Sequence, residues 1–168
     1  MAEAEIIVDG KKLEYEGLFQ PGELYTVIDE LMAQRTFDKN EYRNFEYVHE
    51  GHKQIDMELR PYKKLSDYIK VEIRIKIRAT NLKHVEIEKN GVKKKYYHGK
   101  VKVVFVTYLI TDYENAWETK AFYFLARMLV DKFIYKGYLS EAKAIGVSVT
   151  NEAYYEIRSY LNMHRYKT

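Results

Sequence analysis

The sequence predicts a single α+β domain over residues 1–168, with a curved antiparallel sheet of about six to seven strands packed against an early helix and two C-terminal helices. Three observations carry this expectation. Apolar and charged residues alternate strictly from Ile69 to Ile77. Apolar residues recur at helical spacing from Leu24 to Met32, and again from Ala121 onward. Eight Gly and two Pro residues are scattered as turn signals, with no repeat, low-complexity tract or linker between them.

Near the N-terminus, Ile6 to Val8, then Asp9-Gly10, then Leu13 and Tyr15 predict a strand, a tight turn and a returning strand. Asp-Gly suits such a hairpin because both turn positions need positive φ. Gly17 and Pro21-Gly22 end it. Leu24, Val27, Ile28, Leu31 and Met32 share one helical face, predicting a helix near 22–35 with Pro21 at its start, where a missing N–H costs nothing. Ile55, Met57 and Leu59 alternate with polar neighbours beyond a turn at Glu50-Gly51. Residues 69–77 give the clearest strand, one face dry and one wet. Val85 and Ile87 continue its pattern, and Asn90-Gly91 predicts a hairpin turn. The segment 101–111 lacks a polar face, as expected of a strand covered on both sides or central in a strongly curved sheet.

The C-terminal third predicts two helices. One lies near 118–136, with Ala121, Phe122, Leu125, Met128, Leu129 and Phe133 on one side. The other lies near 150–164, with Thr150 as its N-cap and Ala153, Tyr154, Ile157, Tyr160 and Leu161 on one face. Gly137 and Gly146 mark the break between them.

This order of elements resembles the helix-grip fold of the START/polyketide-cyclase superfamily, in which a curved sheet wraps a long C-terminal helix. The resemblance implies a small molecule held between sheet and helices. The chain departs from that pattern in having one early helix where the superfamily usually has two, and in the break near Gly137–Gly146. Long strands rich in Lys and Glu, much Tyr and Ile, and no cysteine look like uncharacterised archaeal proteins.

Composition removes several function classes. Without cysteine there are no disulfides and no thiolate metal sites, which fits a reducing interior. The acidic Met-Ala-Glu-Ala-Glu start lacks the apolar stretch of a targeting signal. The apolar run Val103–Ile110 falls far short of the ~20 residues of a membrane span. A cytoplasmic protein without membrane insertion is expected. A net charge of +3 does not by itself point to nucleic acid. Aromatic residues reach 15%, which suits half-buried strand positions, or else an aromatic-lined pocket.

No candidate site has a complete catalytic signature. His49 and His52 could begin a zinc site, but no third ligand lies near them, and a solvated turn without metal is expected. Lys93-Lys94-Lys95 before Tyr96-Tyr97-His98 mixes basic and aromatic residues as nucleic-acid binders do, and the wet face of 70–78 adds four cations against Glu72. Charges along an exposed strand edge give the same string. Asp112, Glu114 and Glu118 around Trp117 offer carboxylates for acid–base work, or simply the acidic first turn of a helix. Glu118 and Lys132 fall on the apolar stripe centred on Leu125, and His164 on that of the last helix beside Ile157. Buried charge is expensive, so such positions mark either a pocket's polar anchors or helix ends that snorkel to water. Nucleophile elbow, P-loop and dinucleotide fingerprint are all missing, so neither a cofactor nor a catalytic residue is expected. The expectation is a non-catalytic domain binding an apolar or amphipathic small molecule through Lys132, Glu118, His164 and Trp117. A protein-interaction module, including a self-associating one, and a nucleic-acid binder working through its basic strands are the alternatives.

Overall fold

The computed structural model describes residues 3–89, 91–114 and 135–165. The chain runs β1 (Glu3–Phe19), α1 (Pro21–Gln34), β2 (Glu41–His49), β3 (His52–Leu59), β4 (Tyr62–Lys64), β5 (Ile69–Lys89), β6 (Val92–Thr111) and α2 (Tyr135–Arg165). The six strands form one antiparallel sheet in the order β1-β6-β5-β3-β2, with β4 also beside β5. This is the α+β architecture that the sequence predicts.

The alternation in β5 determines which face is dry. Val71, Ile73 and Ile75 are fully buried, as are Val103, Phe105 and Thr107 beside them on β6. α1 covers this layer with Leu24, Ile28 and Leu31, and α2 covers it with Val149, Ala153, Ile157 and Leu161. Each fully buried Ile or Phe stabilises the fold by ~1.5–3 kcal/mol. The opposite face of β6, expected to be covered, is half-buried at Val104, Val106, Tyr108 and Ile110 and carries no described helix.

Two expectations about the chain path are corrected. Asp9-Gly10 is not a hairpin turn: β1 is one continuous strand along β6. Ile6 pairs with Tyr108, Val8 with Thr107 and Lys11 with Phe105, so β1 carries two extra residues over this span as bulges. Gly10, at φ +64°, supplies the left-handed residue that such a bulge needs. Gly137 and Gly146 do not break the C-terminal helix either, because α2 runs through both. The expected helix 150–164 is the second half of α2, and the expected helix 118–136 lies outside the described residues except at its last two positions.

Gly146 is where α2 comes closest to the sheet. A Cβ there would sit 2.6 Å from Ile7 Cδ1 and 3.2 Å from both Thr107 Cγ2 and Val71 Cγ1. Thr150, expected as an N-cap, is buried in mid-helix. Its hydroxyl donates to the Gly146 carbonyl at 2.6 Å and meets the Thr107 hydroxyl at 2.6 Å. Further along, the Tyr160 hydroxyl accepts from the Gln20 N–H at 3.1 Å and lies 3.1 Å from Glu23 Oε2, joining α2 to the start of α1.

Candidate functional site

The two outer strands of the sheet differ in protection. β1 is irregular and lies under α2: Lys143 Nζ reaches Glu5 Oε1 at 2.7 Å, and Lys11 Nζ reaches Asn151 Oδ1 at 2.6 Å while lying over the Tyr154 ring. Bulges, lysines and a covering helix are the usual means of closing a sheet edge. Among the described residues β2 has none of these over Arg43–His49, where the register is regular and neither Lys nor Pro occurs.

β2 forms because Tyr, Phe and Val favour extended backbone and because its turn sets the register. Glu50 at φ +39° and Gly51 at φ +84° make a two-residue turn, so that His49 faces His52. All nine β2 side chains are exposed. Tyr42 is 54% exposed, Phe45 48%, Tyr47 46% and Val48 70%. Among the described residues only β3 pairs with this strand, so its other edge presents open backbone donors and acceptors.

β2 also borders the open face of the sheet. Register carries two rows across that face. One runs Phe45, Asp56, Arg78, Lys102, Glu14, and the other Arg43, Glu58, Lys76, Val104, Lys12. Arg78 Nε bonds Asp56 Oδ1 at 2.9 Å and Lys102 Nζ meets Glu14 Oε1 at 3.0 Å. Hydrogen bonding to Lys102, then its charge, holds the Glu14 carboxyl below its ordinary pKa, and Asp56 raises that of Arg78 in the same way. Glu58, largely buried, is gripped by Arg60 at 2.7 Å, with Arg74 at 3.5 Å. A shallow groove of about 400 Å³ follows these rows, walled on one side by Arg43, Phe45 and Tyr47.

A second recess lies between sheet and helix, a cleft of about 430 Å³ lined by Leu65, Ser66, Ile69, Tyr138, Ala142 and Ile145. Its wall is mostly apolar, with Glu141 also lining it.

The residues expected to bind a ligand are not among those whose side chains are described. Trp117, Glu118 and Lys132 lie outside the described residues, as does the side chain of His164 in the last turn of α2. Asp112 and Glu114 do not converge. Asp112 is buried in a bend after β6, its N–H donating to the Tyr68 carbonyl at 2.9 Å, whereas Glu114 is exposed 3.7 Å from Lys64. His49 and His52 are exposed beside their turn, and no three potential metal ligands come together among the described residues. Tyr96 is buried and Tyr97 packs edge-on against His84, so the run 93–98 makes no flat stacking platform. Lys93, Lys94 and Lys95 do lie at a sheet edge, as expected: β6 pairs there with β5, whereas among the described residues β1 pairs with β6 only from Tyr97 onward. No described helix is long and apolar enough to cross a membrane. No protein-family model, curated protein or solved structure matches the chain.

Proposed function

We propose that this chain is a protein-interaction module that accepts a partner's β-strand along the free edge of β2. The observation that carries this is a nine-residue outer strand with every side chain exposed, beside a second outer strand that is bulged and covered. In strand addition, backbone hydrogen bonds supply affinity and alternate side chains supply selectivity. On β2 the selective side chains facing the groove are Arg43, Phe45 and Tyr47. Peptides selected from a phage-displayed random library test the reading. Bound peptides should slow amide hydrogen exchange within residues 41–49. Peptides that bind while exchange there stays unchanged would move the site elsewhere.

The apolar cleft beside Ile69 and Ile145 supports a second reading, a small molecule held between sheet and helix, as the helix-grip resemblance implies. Its volume lies within the ~300–1,000 Å³ of small-molecule sites. Native mass spectrometry should then find a co-purified apolar compound that Ile145→Asp removes. A chain of bare polypeptide mass counts against it.

A further inference from the structure

Resting on the strand-addition reading, we infer that the strand that fills the edge is β2 of a second copy of this chain, paired antiparallel about a two-fold axis through Phe45. Two identical strands can pair antiparallel across such an edge only about a two-fold normal to the sheet. That operation keeps the faces together, so the open face of one copy continues into the open face of the other. Residues that oppose each other must therefore come from the same face, which leaves few registers for the regular stretch Arg43–His49.

Those registers are not equal. Centred on Glu46, the pairing sets Glu46 directly against itself, and like charges directly opposite destabilise a sheet. Centred on Asn44, the two regular stretches overlap over residues 43–45 alone, against 43–47 when centred on Phe45. Centred on Phe45, the five central pairs are complementary. The two Phe45 rings meet at the axis. Arg43 faces the second copy's Tyr47, twice over, as a cation against an aromatic ring. Asn44 faces the second copy's Glu46, an amide donor against a carboxylate. The sequence Arg43-Asn44-Phe45-Glu46-Tyr47 is self-complementary when reversed: a cation and an aromatic residue stand two places either side of the centre, and a donor and an acceptor one place either side. A foreign strand would have to reproduce this pattern, whereas a second copy carries it already. Both faces of β2 are exposed, so nothing described in the chain blocks the approach. An interface of strand size belongs with the weak, transient class, and the dimer should dissociate on dilution.

The absence of cysteine makes the register directly measurable. In the proposed pairing, Phe45→Cys places two thiols opposite each other, at the ~4.5–5.5 Å Cα separation of opposed residues. That lies within the ~4.4–6.8 Å a disulfide spans. With oxidised glutathione this variant should form a covalent dimer, while Val48→Cys, whose copies end up ~20 Å apart along the pairing, should stay monomeric. Phe45→Lys should weaken self-association at least tenfold in sedimentation, with an unchanged circular dichroism spectrum because the side chain is exposed. Equal cross-linking at 45 and 48 would overturn the register, and so would a dimer indifferent to Phe45→Lys. A chain that sediments as a monomer at every concentration, yet still binds library peptides along 41–49, would overturn self-pairing and leave strand addition standing. Loss of both would remove the two together.

Discussion

Alanine substitutions at Gly137 and Gly146, made one at a time, isolate the packing of α2 on the sheet. Alanine is favoured over glycine in a helix interior by ~0.8–1.0 kcal/mol. At Gly137 no atom of the described residues lies within 4 Å of the new Cβ, so Gly137→Ala should stabilise the protein by ~0.5–1 kcal/mol. At Gly146 the same gain is opposed by three contacts. Ile7 Cδ1 at 2.6 Å is the end of a partly exposed side chain and can swing away. Thr107 and Val71, each 3.2 Å away, are fully buried and β-branched, with little rotamer freedom to yield. Overpacking of this kind costs ~1–3 kcal/mol. Because the propensity gain is common to both variants, their difference measures the contact cost, so Gly146→Ala should be the less stable by ~1–3 kcal/mol. For a chain of this size that separates their thermal midpoints by ~2–12 °C. Differential scanning calorimetry reads this directly, and adding Ile7→Ala to Gly146→Ala should recover part of the loss. Equal midpoints for the two alanine variants would show that the helix lifts freely and that Gly146 is not a packing constraint.

Two further outcomes are expected. Thr150→Val leaves the buried Thr107 hydroxyl without its partner and should cost ~1–3 kcal/mol in urea denaturation. The double variant Thr107→Val/Thr150→Val, with no orphaned hydroxyl, should be more stable than Thr150→Val alone, and simple additivity would refute the pairing. Burial raises the Tyr160 pKa above its ordinary value. The folded state then keeps this proton at a pH where the unfolded chain has lost it. The stabilisation is therefore complete below ~pH 10 and falls above that by up to ~1.4 kcal/mol per pH unit. Tyr160→Phe should show a shallower alkaline loss of stability than the parent protein, and parallel curves would contradict this.

Elements with a one-sided apolar pattern were legible from sequence. The alternation of 69–77 and the stripe from Leu24 to Met32 each need only local spacing; the first forms the opening nine residues of β5, which runs on to Lys89, and the second lies within α1. Ala153, Ile157, Tyr160 and Leu161 are likewise buried as their spacing predicts. Misreadings arose where a local signal has two meanings. Asp9-Gly10 serves a tight turn or a bulge equally well, and the choice depends on β6, some hundred residues away. Gly146 reads as a helix breaker until a sheet is placed against it. β2 gave no amphipathic signature because both of its faces are wet, with Asn44 and Glu46 on one side and Arg43, Phe45 and Tyr47 on the other. The candidate site was therefore the least visible part of the chain. Its meaning rests on which strand ends at the sheet border, and that is a property of topology.

The pairing of β1 with β6 bears on how the chain is made. β1 ends at Phe19, but its hydrogen-bonding partners span Tyr97 to Thr111. On a ribosome adding ~5–20 residues each second, the first strand waits ~5–20 s for the last one to emerge. During that interval Leu13, Leu18 and Phe19 have no sheet to join. The β5–β6 hairpin, by contrast, can close as soon as its own turn has left the exit tunnel. Nascent chains arrested before residue 97 should therefore hold β1 open to proteases and chaperones, and release past residue 111 should protect it abruptly.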